Sequence, residues 1–497
     1  MYINLSDLSL EHKDNTFLLN PIVVIKNSTK IHRFGLLIDK TMSHTLNNRH
    51  LQHYQIFTNF GISNISLNMR MNRMFLLLML AFAVWGANAQ RVFSVVTCPA
   101  EDASVAMNVS WATDADAPQS HVIFTESTDK LWRNARRATD VDMHLCTTFD
   151  SLWSKTALNE DVYERWRFNK CGTTLKKLKP DTEYMYRVVA GDQRTPIYRF
   201  RTAGAKHWSA CVISDFHHYP PVPTRLRSAM TMIDTICSKD PSLDWVLHLG
   251  DVIAWGGSYS FWKSMYDEPI FRKYMWAGVN GNHDNMSRKY AKCTNLFFRN
   301  ANHYPRNGYA GEEGVCYYFR YGDALFVMLN SEAMRTDEGL AAAQEWFRQV
   351  MQKQRKKARY VIVCEHYQWF FGNDGKTSQY ARWAKLFDEF GVDLALAGNN
   401  HIYVRSGALY DGKLAAGEKG TVCVQTPSSD NDRGQAARDW TLNRDIIKKI
   451  WTEGASTVGA ILLDATPKAL TLTLYDRHGT AIDHLQVPSK KHRSRYS

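Results

Sequence analysis

Between positions 210 and 401, five short apolar runs each stop at residues that bind metals. Ala210-Cys-Val-Ile-Ser214 runs into Asp215-Phe-His217, and Trp245-Val-Leu-His-Leu249 leads to Gly250-Asp251. Met275-Trp-Ala-Gly-Val279 precedes Asn280-Gly-Asn-His-Asp284. Tyr360-Val-Ile-Val-Cys-Glu365 leads to His366, and Leu394-Ala-Leu-Ala397 to Gly398-Asn-Asn-His401. Short apolar runs of this kind read as buried strands. In α/β sheets the carboxyl ends of such strands form a shared rim where ligands bind. A lone Asp after a strand is ordinarily a helix cap, and a lone His ordinarily a core residue. Five endings in one order, with glycine where the backbone turns tightly, predict one site on which Asp, His and Asn converge.

The segments between these runs are helical. Thr224–Ser238 sets Leu226, Met230, Ile233 and Cys237 on one face, and Leu340–Lys356 does the same with Leu340, Ala343, Phe347 and Val350. Those faces are core. After Gly420 strands return at Thr421–Gln425, Val458–Asp464 and Leu470–Tyr475. From Val92 to Thr202 the pattern is entirely β. Val105–Trp111, His121–Thr125 and Pro196–Thr202 read as strands, and Leu178-Lys-Pro-Asp turns into Thr182–Val189. A Trp-bearing strand followed by a Tyr just past a Leu-x-Pro turn resembles the fibronectin type III sandwich with its tyrosine corner, which makes Trp111 core and Tyr184 the corner.

At 497 residues the chain has room for two or three domains, and 44% hydrophobic with 22% charged residues excludes a disordered or polytopic membrane protein. Met71–Ala89 has basic residues at Arg70 and Arg73, an apolar run Met74–Trp85 and the small-residue exit Ala87-Asn-Ala89. That is the three-part layout of a signal peptide, and the run is too short to span a bilayer. The expectation is that 1–70 is an unstructured upstream extension, 71–89 a signal peptide, and the exported chain begins near Gln90. It would be secreted or periplasmic, without a membrane span. The net charge of +12 falls to +8 without residues 1–89, which carry 8 Lys/Arg and 4 Asp/Glu. Four of those charges sit in the tail 489–497, so the body carries no nucleic-acid footprint. Nine cysteines at irregular spacings include Cys211, Cys364 and Cys423 inside strand-like runs, where they read as buried small hydrophobes. A Cys293–Cys316 disulfide is compatible with the sequence but not derivable from it.

The order D-x-H, G-D, G-N-H-D, His after a strand, then G-x-x-H resembles the calcineurin-like metallophosphoesterase superfamily. With the β domain in front, the chain most resembles the purple acid phosphatase branch. The resemblance implies a four-layer α-β-β-α sandwich over 204–488, of α/β or α+β class, preceded by an all-β fibronectin III-like sandwich over 90–203. It implies that Asp215, His217 and His401 bind one metal, Asn282 and His366 a second, and that Asp251 bridges both. Mixed Asp/His/Asn donors suit Fe, Mn or Zn, as a divalent or mixed-valence pair. Such a pair, about 3.5–4 Å apart, holds a bridging hydroxide that attacks phosphorus in line. Asn282 and His283 would contact the substrate, with His283 facing the leaving group and Asp284 orienting it. The implied activity is acid phosphatase-like hydrolysis of small phosphate monoesters. A phosphodiesterase or nucleotidase on the same metals is the alternative, and a non-catalytic metal- or phosphate-binding relative a third reading.

Two departures from the family pattern stand out. The purple enzymes place an iron-binding Tyr where this chain has Ala254, and Gly where it has His217. This favours a His-for-Tyr first site without the purple colour. The second-metal His is replaced by Asn399, a weaker amide ligand that would favour Mn or Mg. The segment His366–Gly375 places aromatics beyond a ligand and reads equally as a substrate loop or a hydrophobic seal. His218, His303 and Arg405 are further candidates for phosphate contact.

Overall fold

The computed structural model describes residues 92–489 apart from 156–158, 160, 287–295, 371–378, 417–418, 431–444 and 455–456, together with 10–13, 16–19 and 36–38. The chain divides into two units, Met1–Ala89 and Gln90–Ser497. In the first, Leu10–Lys13, Thr16–Leu19 and Leu36–Ile38 pair as a three-stranded antiparallel sheet. The expectation that 1–70 is unstructured fails at these strands. The signal-like segment 71–89 lies outside the described residues.

The second unit opens with two packed sheets. One holds Val92–Pro99, Met107–Asp114, Asp161–Leu175 and Asp142–Lys155, and the other holds Ser120–Glu126, Arg136–Ala138, Glu183–Ala190, Gln193–Arg194 and Tyr198–Arg201. Trp111 is fully buried and its indole N–H donates to Ser120 Oγ at 2.9 Å, joining one sheet to the other. The Tyr184 hydroxyl accepts from the Lys179 backbone N–H at 2.9 Å, which pins the turn before its strand. These are the core and corner roles expected of the two residues.

Six strands carry the rim. They are β1 (Trp208–Ile213), β2 (Trp245–His248), β3 (Met275–Gly278), β4 (Tyr360–Cys364), β5 (Leu394–Ala397) and β6 (Thr421–Gln425). In the first sheet β1, β2 and β3 run parallel, with Ala210 opposite Trp245 and Trp245 opposite Met275, and Gly459–Ala465 pairs antiparallel to β1. In the second sheet β4, β5 and β6 run parallel, with Leu394 opposite Ile362 and opposite Val422. Six carboxyl ends therefore open on one rim.

Residue alternation shows how the layers stack. Tyr360, Ile362, Cys364, Leu394, Leu396, Val422 and Val424 point into the core shared with the first sheet. Val361, Val363, Ala395, Ala397 and Cys423 point the other way, against Phe347 of helix α2 (Asp337–Gln354) and Trp383 and Phe387 of α3 (Gln379–Phe390). Strands buried on both faces read as continuous apolar runs, which is why these do. Helix α1 (Thr224–Lys239) buries Leu226, Ala229, Met232, Ile233 and Ile236 against the first sheet. The order α1, sheet, sheet, α2 with α3 is the four-layer sandwich.

The sequence gives no sign that the two domains share a sheet. Thr97 of the first β strand pairs with Met275 of β3, so ten strands run continuously from the N-terminal domain into the catalytic one. Cys211, Cys364 and Cys423 are buried free thiols, as expected. Cys316 is also free and its sulfur accepts from the Asn330 N–H at 3.2 Å. Cys293 lies outside the described residues.

Candidate metal centre

The loops leaving these strands are held in an unusual backbone conformation. Asp215, His217, Asp251, Asn399 and His401 have φ of 53°, 42°, 52°, 67° and 57°. The left-handed region costs a non-glycine residue on the order of 1–3 kcal/mol, and persists only where its surroundings over-determine it. Here they do. Asp215 N–H donates to Gly250 O at 3.1 Å, His217 N–H to Asp251 O at 2.9 Å and Gly398 N–H to His366 O at 2.9 Å. Gly250 (φ 91°) and Gly398 leave the room this requires. A Cβ on Gly250 would lie 2.5 Å from His366 Nδ1, and one on Gly398 2.6 Å from Asp215 Oδ2.

The side chains converge. Asp251 Oδ2 lies 3.2 Å from His217 Nε2 and 3.3 Å from His366 Nε2. His401 Nε2 lies 3.5 Å from Asp215 Oδ1, and His366 Nε2 lies 3.1 Å from Asn282 Oδ1. Three carboxylate–histidine sets, Asp215–His217–His401, Asp215–Asp251–His366 and His217–Asp251–His283, each keep their ligand atoms within 4.8 Å of one another. Asp215, Asp251, His217, His366 and His401 are buried, whereas Asn282, His283 and Asn399 are half-exposed and form the mouth.

The hydrogen bonds fix what these atoms offer. His217 Nδ1 donates to Asp215 O at 2.8 Å and His366 Nδ1 donates to Leu249 O at 2.7 Å. A carbonyl can only accept, so each neutral ring turns a lone pair on Nε2 toward a carboxylate oxygen. Acceptor facing acceptor in a dry site is satisfied by a proton on the ring or by a cation between the two. Without a cation the proton wins. Burial works against a charged His366, but the Asp251 charge and hydrogen bond push it up to about 10. Burial likewise opposes ionised Asp251 and Asp215, yet the surrounding histidines hold both below the usual carboxylate range. Asp215 Oδ1 is buried with no hydrogen-bond partner. An orphaned carboxylate oxygen among imidazole lone pairs fits a hard or borderline cation, so the residues present suit the metals that the pattern implies.

Asp284 does not orient His283. Its Oδ2 accepts from the N–H groups of Asp251 and Gly281, both at 2.9 Å, and its Oδ1 from Val252 at 3.0 Å and Ile253 at 3.1 Å. It is a buried clamp on the loop that carries Asp251; burial and the Asp251 charge push it up to about 7. His283 is oriented instead by Ala254, whose carbonyl accepts from Nδ1 at 2.9 Å, and its own N–H donates to Asp251 Oδ1 at 2.8 Å. Its ring stands edge-on to His217 at 4.8 Å. Asn399 donates its backbone N–H to Asp215 Oδ2 at 2.9 Å, while its side-chain amide nitrogen donates to Gln368 Oε1.

The three further phosphate candidates lie elsewhere in function. His218 is buried on Ser264 Oγ at 2.6 Å, His303 is packed against Gly172, and Arg405 pairs with Asp483 at 2.5 Å. Of the aromatic segment, Trp369 and Phe370 are core against α3, and 371–378 lies outside the described residues. A sixth strand end also reaches the rim. After β6, Ser428 Oγ donates to Asp215 O at 2.8 Å and Asp430 Oδ2 comes 4.0 Å from His217 Nδ1. The signal was present in Gln425-Thr-Pro-Ser-Ser-Asp430, a polar cluster closing an apolar strand.

Residues 210–403 match the calcineurin-like phosphoesterase family, and residues 93–202 match the purple acid phosphatase N-terminal domain. Together with the sandwich, these define a metal-dependent phosphoric ester hydrolase. The chain joins a calcineurin-like phosphoesterase domain to a purple acid phosphatase N-terminal domain. Among solved structures, purple acid phosphatase PPD1 from yellow lupin (Lupinus luteus) seeds aligns at TM-score 0.61 and 15% identity, over 80% of this chain and 74% of that one. PhoD aligns at TM-score 0.50 and 12% identity, over 82% and 94%. At such identities what is shared is the fold. No curated protein sequence matches the chain.

Proposed function

We propose that this protein is an exported phosphatase that hydrolyses phosphate monoesters at a pair of metal ions. The observation that carries the reading is the single oxygen Asp251 Oδ2, 3.2 Å from one histidine nitrogen and 3.3 Å from another on the opposite sheet. Asp215, His217 and His401 would hold one cation and Asn282 and His366 the other, with Asp251 shared between them and the Asn399 amide oxygen as a further donor for the second. When bound, Fe, Mn or Zn at such a site supplies an activated water and positive charge for phosphoryl oxygens.

The chain's own residues do the rest. Asn282 and His283, half-exposed at the mouth, hold the ester. With Nδ1 committed to Ala254 O, His283 keeps Nε2 for the leaving oxygen. To donate a proton there the ring must be the imidazolium, with hydrogens on both nitrogens. Ala254 offers no phenolate, so the loaded protein lacks the purple band.

The test is turnover of p-nitrophenyl phosphate against its bis-ester with Mn or Zn added. Faster monoester hydrolysis is expected; faster diester hydrolysis would make the protein a phosphodiesterase. The bond from Asn399 to Gln368 favours one further reading, a binder that retains a single metal. One ion per chain and no turnover of either ester would establish that. Export is supported by the layout of 71–89, and N-terminal sequencing of the exported protein is expected to start near Gln90. Among the described residues no helix is long and apolar enough to cross a membrane.

A further inference from the structure

Asn282 and His366 stand at the ends of strands in different sheets, β3 and β4, yet their side chains meet, with His366 Nε2 3.1 Å from Asn282 Oδ1. A further strand end reaches the loops of both. Ala324–Met328 runs parallel to β4 with Met328 opposite Cys364, and just beyond it come Asn330 and Ser331, both buried. Asn330 serves the loop of Asn282. Its Oδ1 accepts from Asn280 Nδ2 at 2.8 Å and its Nδ2 donates to Glu312 Oε2 at 2.9 Å. Asn280 Oδ1 in turn accepts from Asn285 Nδ2. Asn280 and Asn285 are fully buried and bracket Asn282 and His283, so their bond closes the turn and Asn330 ties it to the second sheet. Ser331 serves the loop of His366. Its Oγ accepts from the backbone N–H groups of His366 and Tyr367, both at 3.1 Å, and donates to Glu365 Oε2 at 3.2 Å.

We propose that Asn330 and Ser331 are positioning residues, a strut that sets the spacing between Asn282 and His366, a proposal resting on the reading of that pair as donors to one cation. Hydrogen-bonded groups behind metal ligands orient them, and losing one typically weakens metal binding about 10–100-fold. The other ligands have supports of their own. His217 N–H donates to Asp251 O at 2.9 Å, Asn399 N–H holds Asp215 Oδ2 at 2.9 Å, and Asp284 holds the Asp251 loop. Slack between Asn282 and His366 therefore falls on the second site. The polarity of the chain is also set. Asn330 offers an acceptor to Asn280 and a donor to Glu312, and an Asp in its place would turn one carboxylate on another. Changing Glu312 to Gln as well supplies the missing donor from the opposite side.

The experiment titrates Mn by calorimetry into wild type, Asn330→Asp, Glu312→Gln, the double variant carrying both changes, and Ser331→Ala, with thermal melting to confirm that each is folded. In Asn330→Asp and in Ser331→Ala one of two Mn ions is expected to bind about tenfold or more weakly, with the other within about twofold of wild type. Glu312→Gln should keep both ions, and the double variant should regain the one that Asn330→Asp loses. A side chain that only stabilised the fold would give neither the selective loss nor the rescue. Both ions at wild-type affinity in Ser331→Ala and Asn330→Asp, equal weakening of the two, or a single ion in wild type overturns the strut. Should Asn330→Asp not fold, Ser331→Ala and the double variant decide alone: one ion weakened in the first and both kept in the second supports the strut, and any other result overturns it. Turnover of p-nitrophenyl phosphate is followed in the same samples. A wild type that holds two ions without turnover, with one ion selectively weakened in the variants, supports the strut and overturns the phosphatase reading.

Discussion

Asp284→Asn is close to isosteric and removes one charge, yet it should be among the most damaging single changes in this protein. The carboxylate accepts four backbone N–H groups, two on each oxygen, at 2.9–3.1 Å. An amide has one acceptor oxygen. Whichever way Asn turns, its NH₂ group faces two N–H donors, either those of Val252 and Ile253 or those of Asp251 and Gly281. Each buried donor left without an acceptor costs about 1–3 kcal/mol, so the pair costs about 2–6 kcal/mol. Against a total stability of about 5–15 kcal/mol this is a large fraction. The damage is also local, because the freed N–H groups belong to the loop that sets Asp251 in the left-handed region. Urea unfolding should show the loss, and the folded fraction should bind Mn at least tenfold more weakly. A variant within about 1 kcal/mol of wild type, with unchanged Mn affinity, would refute the clamp.

Three further outcomes are expected. Gly398→Ala places a Cβ 2.2 Å from Ser214 Oγ and 2.6 Å from Asp215 Oδ2, so it should displace Asp215 and weaken metal binding at least tenfold by calorimetry. His283→Gln should lower kcat on the order of a hundredfold with metal content unchanged, the usual range for losing a positioned acid. Lys170 is buried with Nζ on Ser110 Oγ at 2.5 Å and Ala301 O at 2.9 Å, and burial pulls it from 10.5 to about 8. Its folded value lies below its unfolded one, so between pH 8 and 10.5 this lysine binds more protons in the unfolded chain, and its own contribution to stability rises with pH by about 3 kcal/mol. Burial pushes the thiols of Cys98, Cys146 and Cys364 up, which acts in the opposite direction. The measure is therefore the difference in urea-unfolding free energy between wild type and Lys170→Met, which carries no proton. It should shift in favour of wild type as pH rises from 8 to 10.5, and an unchanged difference would refute the depressed lysine.

Much of the architecture was legible because buried parallel strands leave continuous apolar runs and helices leave 3.6-residue spacing. Thr421–Gln425 is a strand over the expected residues, and Thr224–Ser238 differs from the helix Thr224–Lys239 by one residue. The rim was legible because metal donors are chemically distinctive and the strand ends bring them in a fixed order. What stayed hidden depends on backbone atoms, which carry no residue-specific mark. Asp284 follows His283 in sequence and invites a side-chain pairing, but its partners are four amides that only the turn brings together. His283 finds its acceptor in the carbonyl of Ala254, a residue whose side chain gives no hint of the role. Trp369 and Phe370 follow a ligand by three and four positions and still belong to the core, because the chain turns back under α3. The shared sheet rests on one backbone pair, Met275 with Thr97, invisible to any pattern of side chains.

The central claim is that Asp251 is common to two cation sites, and metal stoichiometry in wild type and Asp251→Asn tests it most directly. Calorimetric titration with Mn, checked by elemental analysis, should give two ions per wild-type chain. In Asp251→Asn both should weaken together by at least tenfold while the unfolding midpoint stays near that of wild type. Loss of one ion with the other at wild-type affinity, or retention of both, would contradict the account.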